Sequence, residues 1–143
     1  MVKPRSKQMS LLLVTVATFL SLSVWFSTNA VSTALETDKA IGESSMAVLT
    51  IAVQIGFVFG TLFISFTNLS DLINARTLFT VSSILAAITN FLVVPLDSPE
   101  ALIVTRFATG AFLGGVYPMG MKVLSGWYVS GRGFAIGTLV GAV

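Results

Sequence analysis

Arg106 is the residue of this 143-residue chain with the most chemistry to offer. It stands well inside an apolar run that begins near Ala101, and no apolar run of the chain holds an Asp or Glu. Burying a guanidinium in hydrocarbon costs at least ~2.5 to 3.5 kcal/mol on insertion scales, so such a group either snorkels to the interface or meets an anion. Arg106 lies within the first two turns of its run, which leaves both outcomes open. If it meets an anion, the counter-charge comes from helices outside these runs or from a solute. Asn29, Gln54 and Trp25 are the other side chains whose polar groups need a partner or a wet surface inside an apolar stretch. They are candidates for a cavity wall, although Trp25 also suits an interfacial aromatic belt.

What the chain lacks is as informative. It has no Cys and no His, which removes disulfides, thiolate nucleophiles, imidazole bases and the usual zinc sites. An intramembrane serine hydrolase would have no imidazole base. No enzymatic activity, metal or cofactor is expected. The charge balance, 8 Lys and Arg against 6 Asp and Glu, is too even and too scattered for a nucleic-acid surface.

The elements that must position these residues are read from hydropathy. Hydrophobic residues make up 55% of the chain and charged ones only 10%, against roughly 25% charged in soluble domains. Crossing hydrocarbon takes roughly 20 mostly apolar residues as a helix. Four such blocks run at about Ser10–Val31, Met46–Phe66, Thr77–Pro95 and Ala101–Leu124. A fifth starts near Gly133 and reaches Val143, about half a membrane thickness at 1.5 Å per residue. The expected fold is an all-α polytopic bundle of about four complete spans and a truncated fifth, residues 133–143, behind a tail at residues 1–9.

Basic residues near span ends are retained in the cytoplasm. Lys3, Arg5, Lys7, Arg76, Lys122 and Arg132 fall on one side, whereas the other side has Lys39 with Glu36, Asp38, Glu43, Asp97 and Glu100. The chain is therefore expected to be a multi-pass protein of the plasma or inner membrane with a cytoplasmic N-terminus. A cleaved signal peptide fits the first block less well, because that block is long enough to span and three more follow. The sequon-like Asn68-Leu69-Ser70 falls in a cytoplasmic turn and is expected to be unmodified.

Inside lipid, helices associate through close packing of small residues. Gly56 and Gly60 in span 2, Gly110 and Gly114 in span 4, and Gly133 and Gly137 in span 5 have the four-residue spacing this requires. Polar residues recur on one face of span 1 (Thr18, Ser21, Trp25, Thr28 or Asn29, Ser32) and of span 2 (Thr50, Gln54, Thr61, Ser65).

Three stretches resemble the major facilitator superfamily of transporters. TNLSDLINAR occupies the place of the family's loop pattern G-x-L-A-D-R-x-G-R-R: Leu69, Asp71 and Arg76 match, while Thr67, Leu72, Asn74 and Ala75 depart from it. TRFATGAFLGG is similar to the span 4 pattern R-x-x-Q-G at Arg106 and Gly110, with Thr109 in place of the Gln. YPMGMKVLSGWYVSGRGFAIGTLVGA is similar, at Pro118, Trp127, Arg132, Gly133 and Gly137, to branches that carry organic anions, oxyanions or cyanate.

The resemblance implies the front part of a twelve-helix transporter built of inverted three-helix repeats, with its site near the midplane. No residue identity between the repeats is visible in the sequence itself. It implies a part in substrate or proton coupling for Arg106 and a gating role for Asp71 and Arg76; Asn29, Gln54 and Trp25, read from their polar groups inside the spans, are expected to shape the site. The expected function is secondary active transport of a small anionic solute by alternating access, with the lipid bilayer and the remaining C-terminal helices as partners. A proton-coupled exporter of hydrophobic compounds is the alternative within the superfamily. A small membrane scaffold, complete in itself and held to other helices by its glycine faces, is the alternative outside it.

Overall fold

The computed structural model describes residues 4–31, 33, 37 and 43–143. Lys3, Ser32, Glu36, Asp38 and Lys39, and the side chains of Arg5 and Glu43, lie outside the described residues. Every regular element among the described residues is a helix: α1 at Pro4–Ala30, α2 at Glu43–Phe66, α3 at Leu69–Leu72, α4 at Ala75–Phe91, α5 at Pro99–Leu113, α6 at Tyr117–Trp127 and α7 at Arg132–Gly141. Three helical stretches, Ser6–Ala30, Ser44–Phe66 and Pro99–Trp127, are long and apolar enough to cross a membrane by length and composition. The fold is a helical membrane bundle.

The closest-packed pair is α2 against α5, and its glycines explain why. A Cβ built at Gly56 would run into the Phe107 carbonyl, one at Gly60 into the Ala111 carbonyl, and one at Gly110 into the Val53 carbonyl. At Gly114 it would stand 2.7 Å from the Thr61 nitrogen. Hydrogen in place of a methyl lets the two backbones touch, which is the form helix association takes where no water drives it. Gly133 and Gly137 differ, because a Cβ at either meets nothing within 4 Å, so among the described residues that face of α7 is open.

Expected span 4 is built from two helices. Pro118 has no N–H to give the Gly114 carbonyl, and its ring would crowd that group. The chain tightens ahead of it: Gly115 donates to Phe112 and Val116 to Leu113 at 2.9 Å each, three residues back instead of four. Expected span 3 ends early for a related reason. Val94 precedes Pro95, a position that disfavours helix, and Val93 and Val94 already donate to the carbonyls three residues behind them.

Local chemistry sets the starts. Asn74 Oδ1 accepts from the Arg76 N–H at 2.9 Å at the head of α4, and Ser98 Oγ accepts from the Ala101 N–H at 3.2 Å at the head of α5, where Pro99 fills the first turn. Gly131 takes φ 79°, a left-handed turn that leads into α7 without a Cβ penalty.

Two apolar clusters fill the bundle: Met46, Leu49, Val93 and Leu102 at one end, and Leu22, Ala86, Leu113 and Val116 in the middle. Large apolar side chains also cover the outside, among them Leu12, Phe19, Ile55, Phe59, Leu62, Ile84 and Ile88. In water such a surface would aggregate. In lipid it is the solvent-facing side.

Candidate functional site

The core between α1, α4 and α5 carries polar side chains at successive depths. Ser21 Oγ and Ser83 Oγ are 3.1 Å apart, Thr109 Oγ1 and Thr89 Oγ1 are 3.0 Å apart, and Ser27 Oγ lies 2.8 Å from Asn90 Oδ1. Hydroxyls in a helix also have their own carbonyl within reach, and Ser27 Oγ is 2.8 Å from the Val24 oxygen, so its single proton serves one acceptor or the other.

Arg106 is the centre of this column and is 1% exposed. Its Nη1 donates to Asn90 Oδ1 at 2.8 Å and more loosely to the Val24 carbonyl at 3.4 Å, and its Nη2 donates to the Trp25 carbonyl at 2.7 Å. One side chain of α5 thus grips α4 through an amide and α1 through two consecutive backbone oxygens. The Nε–H is buried without a partner. Among the described residues every acceptor of this guanidinium is a neutral oxygen, so its positive charge is solvated but not cancelled. Snorkelling to an interface is not how this structure accommodates it.

Trp25 works on two sides of α1. Its carbonyl faces Arg106, while its indole meets the Phe57 ring edge-on, with centroids 5.3 Å apart. One turn along, the Asn29 amide oxygen is 3.2 Å from Thr50 Oγ1 on α2. Asn29 and Gln54 are both exposed. Trp25, Asn29, Thr50 and Phe57 therefore gather at the α1–α2 seam, beside an open cavity of about 240 Å³ lined by Leu22, Trp25, Phe26, Phe57, Tyr117 and Val143. Arg106 does not line that cavity. It sits behind the α1 backbone, and Gln54 lies on α2 one turn beyond Thr50.

Asp71 and Arg76 are at the opposite end and have different partners. Asp71 pairs with Lys122, whose Nζ is 2.6 Å from the Asp71 carboxylate and 2.6 Å from the Ser70 carbonyl. Donation from Lys122, and then its charge, hold the Asp71 carboxyl below the ordinary carboxylate value. The Arg76 guanidinium lies 5.6 Å from the Trp127 ring centroid, in the cation–π range, at a cavity of about 330 Å³ between α1, α4 and α6. Lys7 is similarly placed 5.9 Å from the Tyr128 ring.

Ser27, Ser83 and Thr89 of the polar column escaped the sequence reading, and so did two residues with a larger part in these arrangements. Asn90 is a lone carboxamide in the third apolar block, a signal of the kind that singled out Asn29 and Gln54. Lys122 was counted only as a basic residue near a span end, because its pairing across 51 positions has no local signature.

Membrane-spanning helices tied together by small-residue contacts, a polar column and a buried cation are the build of a polytopic transport protein. The sequence pattern of the Major Facilitator Superfamily matches residues 13–143, and the chain belongs to that family. Members of this superfamily are transporters and not enzymes. No curated protein and no solved structure matches the chain.

Proposed function

We propose that this chain serves secondary active transport of a small anionic solute by alternating access, in concert with further helices of the same fold, in the cell membrane and with its N-terminus in the cytoplasm. The observation that carries the reading is the Arg106 guanidinium, 1% exposed and held, among the described residues, by neutral oxygens alone. An unbalanced charge in a low-dielectric wall projects its field further than one in water. Because Arg106 sits behind the α1 backbone, an anion in the α1–α2 seam reaches it only as α1 yields: its pull on the guanidinium competes with the Trp25 carbonyl for Nη2 and loosens α1 from α5. Asn29, Gln54 and Trp25 then shape the entry. Asp71 with Lys122, and Arg76 with Trp127, close the cytoplasmic end.

The test is uptake by the reconstituted transporter of a panel of nitrate, sulfate, formate and acetate. Arg106→Ala is expected to lower uptake of the transported anion by about tenfold or more, the equivalent of ~1.4 kcal/mol. Unchanged rate and apparent affinity for every anion in the panel would sink the charge role.

A second reading, export of hydrophobic compounds, draws on the aromatic lining of the cavity beside Trp25, Phe26, Phe57 and Tyr117. Under it, Phe57→Ala abolishes export of a lipophilic cation such as ethidium while Arg106→Ala leaves anion handling untouched.

A further inference from the structure

Asn90 is the only side-chain acceptor that the described residues provide for the Arg106 guanidinium; the other two acceptors are the Val24 and Trp25 backbone oxygens. An aspartate fits the same place, since it is isosteric with asparagine and offers the same oxygen geometry with a stronger, charge-assisted hydrogen bond. Cross-linking α4 to α5 is therefore no reason to prefer the amide. The two residues differ in net charge: an amide orients the guanidinium and leaves it positive, whereas a carboxylate 2.8 Å from Nη1 would extinguish its field at any distance a solute can reach. Ser27, also neutral, is the hydroxyl beside the same amide oxygen.

We propose that Asn90 is a specificity-determining positioning residue: its neutral amide aims Arg106 across the α1–α4–α5 core while preserving the positive charge that selects an anion. This rests on the anion reading above and goes further, because it assigns selectivity to a residue on α4 that need never touch the solute. A negative charge placed on the column at position 90 or 27 would end the preference for anions without dismantling the bundle.

The experiment uses iodide, a charged contact quencher, against acrylamide, a neutral one, on Trp25 fluorescence. The protein is held in lipid nanodiscs with Trp127→Phe in every sample. Trp25 reports from the residue whose carbonyl Arg106 holds, and the acrylamide value corrects for access. Asn90→Asp is expected to lower the iodide-to-acrylamide quenching ratio roughly threefold or more, to the level of Arg106→Gln, because the local anion enrichment set by the buried charge is gone. Ser27→Asp should do the same from α1 and carries the test if Asn90→Asp does not fold. Asn90→Ala, which is neutral but no longer aims Arg106, should give a ratio between that of the parent and that of Asn90→Asp.

The outcomes separate the two claims. If Arg106→Gln leaves the ratio unchanged, the anion reading fails and this inference falls with it. If Arg106→Gln lowers the ratio but Asn90→Asp and Ser27→Asp do not, the inference alone is overturned. It is likewise overturned if Asn90→Ala falls as far as Asn90→Asp, since Asn90 would then be a holding group only.

Discussion

Arg106 and Lys122 carry the same charge in unlike solvents, and their chemistry diverges accordingly. Lys122 is partly exposed and meets the carboxylate of Asp71, which is itself solvent-facing. Asp71 titrates below its ordinary value, so the ion pair contributes fully at neutral pH and its contribution is lost as pH falls through that lowered value. Asp71→Asn should thus unfold at a lower temperature than the parent near neutral pH, and the two melting curves should converge once the medium is acid enough to protonate the carboxylate. Equal melting at neutral pH would show the pair to be ornamental. Arg106 faces the opposite balance. Desolvating a cation costs several kcal/mol, and neutral acceptors return only part of that. Arg106→Met, apolar and of similar length, leaves the Asn90 oxygen to Ser27 at a cost of ~1 to 3 kcal/mol at most. Its thermal midpoint in detergent is expected to match or exceed that of the parent while anion uptake is lost. A large drop in midpoint would mean the arginine is chiefly a structural clamp.

Among the helices, the α2–α5 contact is the joint that tolerates least. Gly60 and Gly110 sit where an added methyl meets a backbone carbonyl of the other helix, and backbone cannot rotate away as a side chain can. Gly60→Ala and Gly110→Ala are expected to destabilise by about 1 to 3 kcal/mol, the usual range for overpacking. Gly137→Ala should go the other way, because nothing among the described residues lies within 4 Å of its Cβ and alanine is preferred to glycine in a helix by up to ~1 kcal/mol. Thermal unfolding of the three variants side by side gives opposite signs if this account is right. The Pro118 break has its own consequence: it divides one crossing into α5, which carries Arg106, and α6, which carries Lys122. The two cations therefore stand on separate helices of one crossing.

For the molecule as a whole, the two ends differ in chemistry. One gathers Lys7, Arg76, Lys122, Trp127 and Tyr128 into ion-pair and cation–π contacts. The other begins α5 with Ser98, Pro99 and Glu100. The orientation proposed from the basic bias places the first end in the cytoplasm. Leu72→Cys, at a position 78% exposed, should then react with a membrane-impermeant maleimide only from the cytoplasmic side, and Glu100→Cys only from the other. Reversed labelling would refute the orientation. The many exposed Leu, Ile, Val and Phe side chains also require an apolar medium, so the bundle should remain monodisperse only with detergent or lipid present.

The helical membrane class was legible in the sequence because length, apolarity and the absence of intramembrane carboxylates are properties of the chain alone, and lipid admits few spanning structures. The glycine spacing in spans 2 and 4 was legible too, since four-residue periodicity is local. The end of α4 at Phe91, ahead of Pro95, and the break before Pro118 were missed by block hydropathy, which does not register a lost N–H. What required the tertiary structure was pairing. Arg106 could be read as snorkelling or as seeking an anion until α1 and α4 closed around it with two carbonyls and an amide. Asp71 and Arg76 stood together in one motif until folding gave the first to Lys122 and the second to Trp127. Hydropathy and periodicity depend on neighbours along the chain, whereas hydrogen bonds and ion pairs across tens of residues depend on which helices come to lie side by side.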